Sequence, residues 1–244
     1  MCDTRRMKQQ PAAPNYKGHR FPPAIIGHAV WLYFRFALGY RDVEELLAER
    51  GVTLTYETVR QWCQKFGQTY ANTLRRRRPR PGDTWHLDEV FITINGATHY
   101  LWRAVDQDGV VLDILVQRRR NKAAAKKFFR KLLKGLRYTP RVLITDRLAS
   151  YGAARRDVLP SVEHRRHKGL NNRAENSHQP TRERERRMRR FKSPSHAQRF
   201  LAAYGPIASH FRPRRHRLTA PAYRATRTER FATWRAVTGT SAMA

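Results

Sequence analysis

Apolar residues recur at two different periods along this chain, and the change of period predicts where its architecture changes. Ile25, Ile26, Val30, Tyr33 and Phe34 return at the intervals of one buried helix face. A second helix is predicted over 41–50, with Val43, Leu46 and Leu47 inward and Gly51 as its stop. A third begins after Thr55, a good N-cap, with Glu57 in the positive first turn and Val59, Trp62, Cys63 and Phe66 as its apolar stripe. That stripe leaves Tyr56, Arg60, Gln61, Gln64 and Lys65 facing outward. From residue 86 the period falls to two: His86, Asp88, Val90, Ile92 and Ile94 share one face of a strand, and Asn95-Gly96 is a strong hairpin signal. Strands over 99–105 and 110–116, parted by the turn Asp108-Gly109, complete a three-stranded meander.

Beyond the meander, Asn121 caps a helix of Ala, Lys, Phe and Leu, and a short apolar strand follows at 142–145. A helix near 148–156, a brief strand around Val162 and a long charged helix from Asn172 give the order βββαβαβα, an α/β fold with a mixed sheet. The three N-terminal helices, whose last presents Arg, Gln and Lys, resemble a helix-turn-helix module over 24–68, with Arg60, Gln61, Gln64 and Lys65 as candidate DNA-reading side chains. The competing interpretation is a helical bundle with an ordinary solvated face. Residues 1–23 read as a loose basic arm. The run Arg75-Arg76-Arg77-Arg78-Pro79-Arg80-Pro81-Gly82 predicts a DNA-tracking linker over 69–83, because Pro and Gly deny a continuous helix and like charges repel. The catalytic core is then expected over 84–192, and a helical basic extension over 193–244.

Charge narrows the function. The 244 residues hold 50 Lys plus Arg against 19 Asp plus Glu, a net charge of +31, and this excess points to a polyanion, nucleic acid, as the partner. A ribosome-like basic protein or a polybasic membrane binder is the blander alternative. Cys2 and Cys63 form neither a CxxC pair nor a disulfide framework. The most apolar stretch, 24–38, contains His28 and Arg35 and falls short of the roughly 20 residues a membrane span needs. No secretory signal is evident, so a cytoplasmic protein is expected. No GxxxxGK[ST] loop supports the use of ATP.

Against that basic background three carboxylates stand out. Asp88 is on the strand face that points toward the core, where an unpaired charge would cost several kcal/mol. A cation, a buried Arg or a strand end reaching water would each relieve it. Asp146 follows an apolar strand at the sheet's carboxyl edge, where α/β sites assemble, although Asp there also commonly caps the next helix. Glu175 in Asn172-Arg173-Ala174-Glu175 has the spacing of a capping box. A cap leaves unexplained Arg182, two turns on, which suits a phosphate beside a reaction centre. Two acids on neighbouring sheet elements and one on a helix at the sheet's edge could hold two cations about 4 Å apart. His164 and His167 are expected to be solvated.

Several of these segments are familiar together. Trp85-His86-Leu87-Asp88-Glu89, Tyr100-Leu101-Trp102-Arg103-Ala104-Val105-Asp106, Thr145-Asp146 with Ser150-Tyr151-Gly152, and Asn171-Asn172-Arg173-Ala174-Glu175 followed by Arg182 resemble the insertion-sequence-six family of bacterial DDE transposases. So do 56–62 and 190–193. The resemblance implies an RNase H-like core that cuts the 3′ strand ends of terminal inverted repeats and joins them to target DNA. It further implies Asp88, Asp146 and Glu175 as catalytic ligands of two divalent metal ions, magnesium. Double-stranded DNA would be the partner, with a homodimer or higher oligomer assembled on it in the bacterial nucleoid. The interval from Asp146 to Glu175 is short for this family, which makes Glu183 and Glu185 conceivable substitutes. A non-catalytic DNA-binding regulator or an inactive remnant is the alternative.

Overall fold

The computed structural model describes residues 14–240 except 79, 168 and 214. Cys2, the first part of the expected basic arm and the last four residues of the expected extension lie outside the described residues.

Helices α1 (Pro23–Arg35), α2 (Tyr40–Ala48) and α3 (Tyr56–Arg77) form where the apolar spacing predicts. The Thr55 hydroxyl accepts the Thr58 N–H at 3.4 Å, and Gly51, at φ +73°, supplies the left-handed turn that follows α2. The linker expected over 69–83 is corrected: α3 runs through most of it, to Arg77. The apolar stripe continues through Tyr70, Ala71 and Leu74, all buried, and arginine is a good helix former that suits the negative end of the helix. Packing therefore outweighs like-charge repulsion. Two of these arginines also work inside the fold, Arg75 donating to the Ala202 carbonyl at 3.1 Å and Arg78 to those of Val111 and Leu112 at 2.9 and 3.3 Å.

Strands β1 (Thr84–Ile94), β2 (Ala97–Asp106) and β3 (Val111–Gln117) form the antiparallel meander. After α4 (Lys122–Leu136), strand β4 (Val142–Thr145) pairs parallel with β1; after α5 (Ala149–Val158), β5 (Glu163–Arg166) pairs parallel with β4. The sheet order is β3-β2-β1-β4-β5, the mixed α/β arrangement the sequence predicts. Because β4 stops at Thr145, opposite Leu87, the rest of β1 has no strand neighbour on that side among the described residues. That free flank is where the acids gather.

Strand alternation sends side chains to two layers. Trp85, Leu87, Trp102, Ala104, Leu112 and Leu115 meet Phe128 and Phe129 of α4 and Tyr151 of α5. Ile92, Ile94, Leu101, Val105, Val111 and Ile114 form one core with α1, α2, α3, α8 (Pro194–His210) and the Trp234 end of α9 (Ala220–Val237). The hydrophobic core thus runs across the boundaries expected at 68 and 192, since a sheet face left bare by α4 and α5 must bury itself against something. Helix α8 is core rather than extension, with Phe200, Leu201, Tyr204 and Ile207 all buried.

The long charged helix expected from Asn172 is two helices, α6 (Asn172–Ser177) and α7 (Gln179–Arg187). Pro180 has no N–H to give, and its ring crowds the carbonyl four residues back, so the ladder breaks at His178.

Candidate active site

Asp88 is the first β1 residue past the end of β4, and Asp146 the first residue after β4 itself. Glu175 comes from α6. All three line one cleft of about 820 Å³, together with Arg147, His167, Asn171, His178, Arg182 and Glu183. Helix α6 is docked there by specific bonds. The Asn171 amide donates to the Leu87 carbonyl at 2.8 Å, on the free flank of β1. From β2, Arg103 stands opposite Asp88 in register and donates to the Ser177 carbonyl and the Thr181 hydroxyl, clamping the break between α6 and α7. Burial lowers the Arg103 guanidinium to about 10, which leaves it charged at neutral pH.

Helix capping does not account for the acids. The N-cap of α6 is Asn171, Glu175 falls one position beyond the capping-box place, and no side chain caps that helix. Glu175 is exposed to the cleft instead. For α5 the N-cap is Leu148; Asp146 accepts the Leu148 N–H through Oδ1 at 3.0 Å, leaving Oδ2 free of that turn.

Electrostatics mark the same place. Burial, then the nearby charge of Asp146, push Asp88 up to about 6. His178 Nε2 approaches Asp88 Oδ2 at 3.3 Å without hydrogen-bond geometry, and neither of its ring nitrogens has a hydrogen-bond partner among the described residues. Burial, with Arg103 and Arg182 adding to it, holds His178 well below the usual imidazole range, so it is neutral. On the opposite face of β1, the Glu89 side chain is fully buried and accepts the Arg120 Nε at 2.6 Å. Arg120 Nη2 lies 3.8 Å from Asp146 Oδ2 and so ties the back of the sheet to the cleft. Burial pushes Glu89 up to about 7.

Sequence reasoning brought Asp88, Asp146, Glu175 and Arg182 to one place and missed the shell around them. Arg103 had a signal, a cation between Leu101 and Val105 on a core-facing strand row. His178 had a weaker one, a single turn after Glu175. The Glu89 and Arg120 pairing depends on which strands are neighbours, which no local pattern reports. His164, expected to be solvated, is half-buried with Nε2 2.9 Å from the Thr145 hydroxyl, and burial lowers it to about 4. His167 is exposed at the cleft. Outside the cleft lining, α3 presents Gln61, Gln64 and Lys65 to solvent, while Arg60 is held by Glu57 through bonds of 2.7 and 2.5 Å.

Fold and cleft together define a mixed α/β core with one cleft lined by acids and arginines at the free flank of β1. A family model described as a DDE domain matches residues 82–214. The transposase for insertion sequence-like element IS431mec of Staphylococcus aureus is 32% identical over 168 residues, which are 67% of this chain and 75% of that protein. The transposase for insertion sequence element IS257 in transposon Tn4003, also from Staphylococcus aureus, matches to the same extent. Among solved structures, the catalytic domain of Mos1 mariner transposase aligns with a TM-score of 0.41 at 16% identity, over 73% of this chain and 93% of that one. The chain belongs to the DDE transposases of the insertion-sequence-six family, DNA-transposing polynucleotidyl transferases.

Proposed function

We propose that this transposase binds the terminal inverted repeats of its element, cuts their 3′ strand ends and joins them to target DNA, with Asp88, Asp146 and Glu175 as the catalytic carboxylates. The observation that carries this reading is the single cleft lined by all three acids and by Arg182. Among the described residues no three carboxylates, histidines or cysteines already stand close enough to chelate a metal ion. The donor set nevertheless fits a hard divalent cation such as magnesium, because the ligands are oxygens and burial and the charge of Asp146 raise the cost of ionising Asp88. Two such ions, when bound, would supply an activated water or 3′-hydroxyl and neutralise the leaving oxygen.

The chain's own residues do the remaining work. Arg103 and Asn171 fix α6 so that Glu175 faces the cleft. Arg182 and Arg147, both exposed in its lining, are placed to hold the phosphate. On α3, Gln61, Gln64 and Lys65 form an exposed polar face for the duplex, and Glu57, which accepts from both Arg60 and Gln61, pre-orients Arg60 beside them. Two element ends held at once call for at least a homodimer on DNA. Among the described residues no helix is long and apolar enough to cross a membrane; binding to DNA would put the protein at the bacterial nucleoid.

The test is to incubate the purified protein with labelled element ends and target DNA, with and without magnesium. Metal-dependent nicking and joining is expected, and Asp146→Asn should remove both while end binding persists. Binding without metal-dependent joining by the parent protein would sink the reading in favour of a DNA-binding regulator.

A further inference from the structure

Along β1, the odd-numbered residues face the layer of α4 and α5. Trp85, Leu87 and Glu89 are buried there, but Phe91, two residues on, is 68% exposed, more than any other large apolar side chain among the described residues. Its register partners are Tyr100 on β2 and, beyond that, Gln117 on β3. Tyr100 packs against the apolar layer and the Gln117 amide donates to the Ala124 carbonyl at 2.9 Å, so this row is the layer's rim. A threonine would suit this exposed strand position as well, so strand formation alone does not require an aromatic ring. A lone exposed apolar side chain is ordinary. What distinguishes Phe91 is its position.

Arg118, Arg119 and Arg120 follow Gln117 directly and are all exposed. One strand row away, Glu89 anchors Arg120, which reaches toward Asp146. The flank of β1 beside Phe91 has no strand neighbour, and the adjacent Val90 lines the catalytic cleft from the other face. Three residues of strand separate Phe91 from Asp88, about 10 Å, or some three nucleotides of a DNA strand.

Resting on the strand-cutting reading above, we propose that Phe91 is a stacking platform for an unpaired DNA base within about three nucleotides of the scissile phosphate. A duplex offers an uncharged ring little, since its base faces are already stacked and its outside is phosphate. An unpaired base offers a π-face whatever its identity. The neighbouring arginines hold the phosphates on either side of it. A second copy of this chain fits the place poorly, because it would bring the same row of arginines against this one. Drawing one base out of the stack lets the strand bend over the free flank and carry its phosphate into the cleft, and the ring compensates for part of the lost stacking.

Three proteins decide it: the parent, Phe91→Ala and Phe91→Tyr, each cutting a perfect duplex end and a set of ends with one mismatch placed in turn at the three nucleotides on either side of the cut. Phe91→Ala should cut the perfect duplex on the order of ten- to a hundredfold more slowly, the equivalent of one lost base–aromatic stack. One mismatch position should restore it to near the parental rate, and Phe91→Tyr should stay near the parent throughout. Equal rates for Phe91→Ala and parent on the perfect duplex would overturn the proposal. So would a defect that no mismatch rescues, or light scattering that shows Phe91→Ala losing a DNA-free dimer which the parent forms. A parent that cuts neither substrate would instead overturn the strand-cutting reading itself.

Discussion

Asp88→Asn should stabilise the metal-free protein while destroying its chemistry. Burial and the charge of Asp146 raise the Asp88 carboxyl from 3.8 to about 6. Resistance to ionisation over about two pH units corresponds to about 3 kcal/mol of penalty once the pH exceeds both values. The side chain keeps only 15% exposure, so solvent relieves little of it, but about 3 kcal/mol is still a ceiling. Below the unfolded value of 3.8 the acid is protonated in both states and costs nothing. Between there and about 6 the unfolded chain ionises while the folded one resists, so stability falls as pH rises, and above about 6 the deficit is complete. Asparagine keeps the shape without the charge, and its amide can meet the neutral His178. Denaturant unfolding in chelator should therefore show no advantage for Asp88→Asn near pH 4, an advantage of about 1–3 kcal/mol by pH 7, and a plateau beyond. Magnesium should stabilise the parent and not the variant. If Asp88→Asn is no more stable than the parent at neutral pH in chelator, Asp88 is not a poorly solvated charge awaiting a cation.

Other expectations follow from the same geometry. Since Glu175 makes no cap, Glu175→Ala should change stability by less than about 0.5 kcal/mol yet lower strand joining by several orders of magnitude; near-parental joining would move the third ligand to Glu183, which lines the same cleft. Duplex affinity should fall on the order of a thousandfold between about 50 and 200 mM salt if six to ten phosphates are contacted, and a flat response in fluorescence anisotropy would contradict the electrostatic account. Replacing Arg60 and Gln61 together by Ala should erode the preference for element ends over random DNA while weaker non-specific binding survives. Equal loss on every sequence would remove their recognition role.

Alternation and turn chemistry made the sheet legible. Asn95-Gly96 and the even-numbered apolar row of β1 fix which face Asp88 shares with Ile92 and Ile94, and those two residues do lie in the core on that side. Helix length was harder to see. The arginine run looked like a break because charge repulsion is visible in sequence, whereas the burial of Tyr70 and Leu74 against a distant helix is not. Pro180 was visible and should have split the last helix. Its consequence was not visible, because it depends on Arg103, 78 residues away from Thr181 along the chain, reaching the broken turn.

The break in that helix is itself part of how the site is built. In an unbroken helix the Ser177 carbonyl would take the Thr181 N–H and lie against the ladder, less open to a buried guanidinium. The Thr181 N–H turns to the His178 carbonyl instead of that of Ser177, so the Ser177 carbonyl is left for Arg103, which also donates to the Thr181 hydroxyl, and the Pro180 carbonyl takes the Tyr204 hydroxyl at 3.1 Å. The helix pair is thus pinned from the sheet on one side and from α8 on the other, with Glu175 before the pinned turn and Arg182 after it. Arg103 stands opposite Asp88 in the strand register, so the residue that fixes the third acid is placed by the same strand pairing that places the first. A carboxylate and an arginine carried on a loop would have to be ordered when a ligand arrives. Here the ordering is done on folding, and the two aspartates and the third acid line one cleft whose walls are already set.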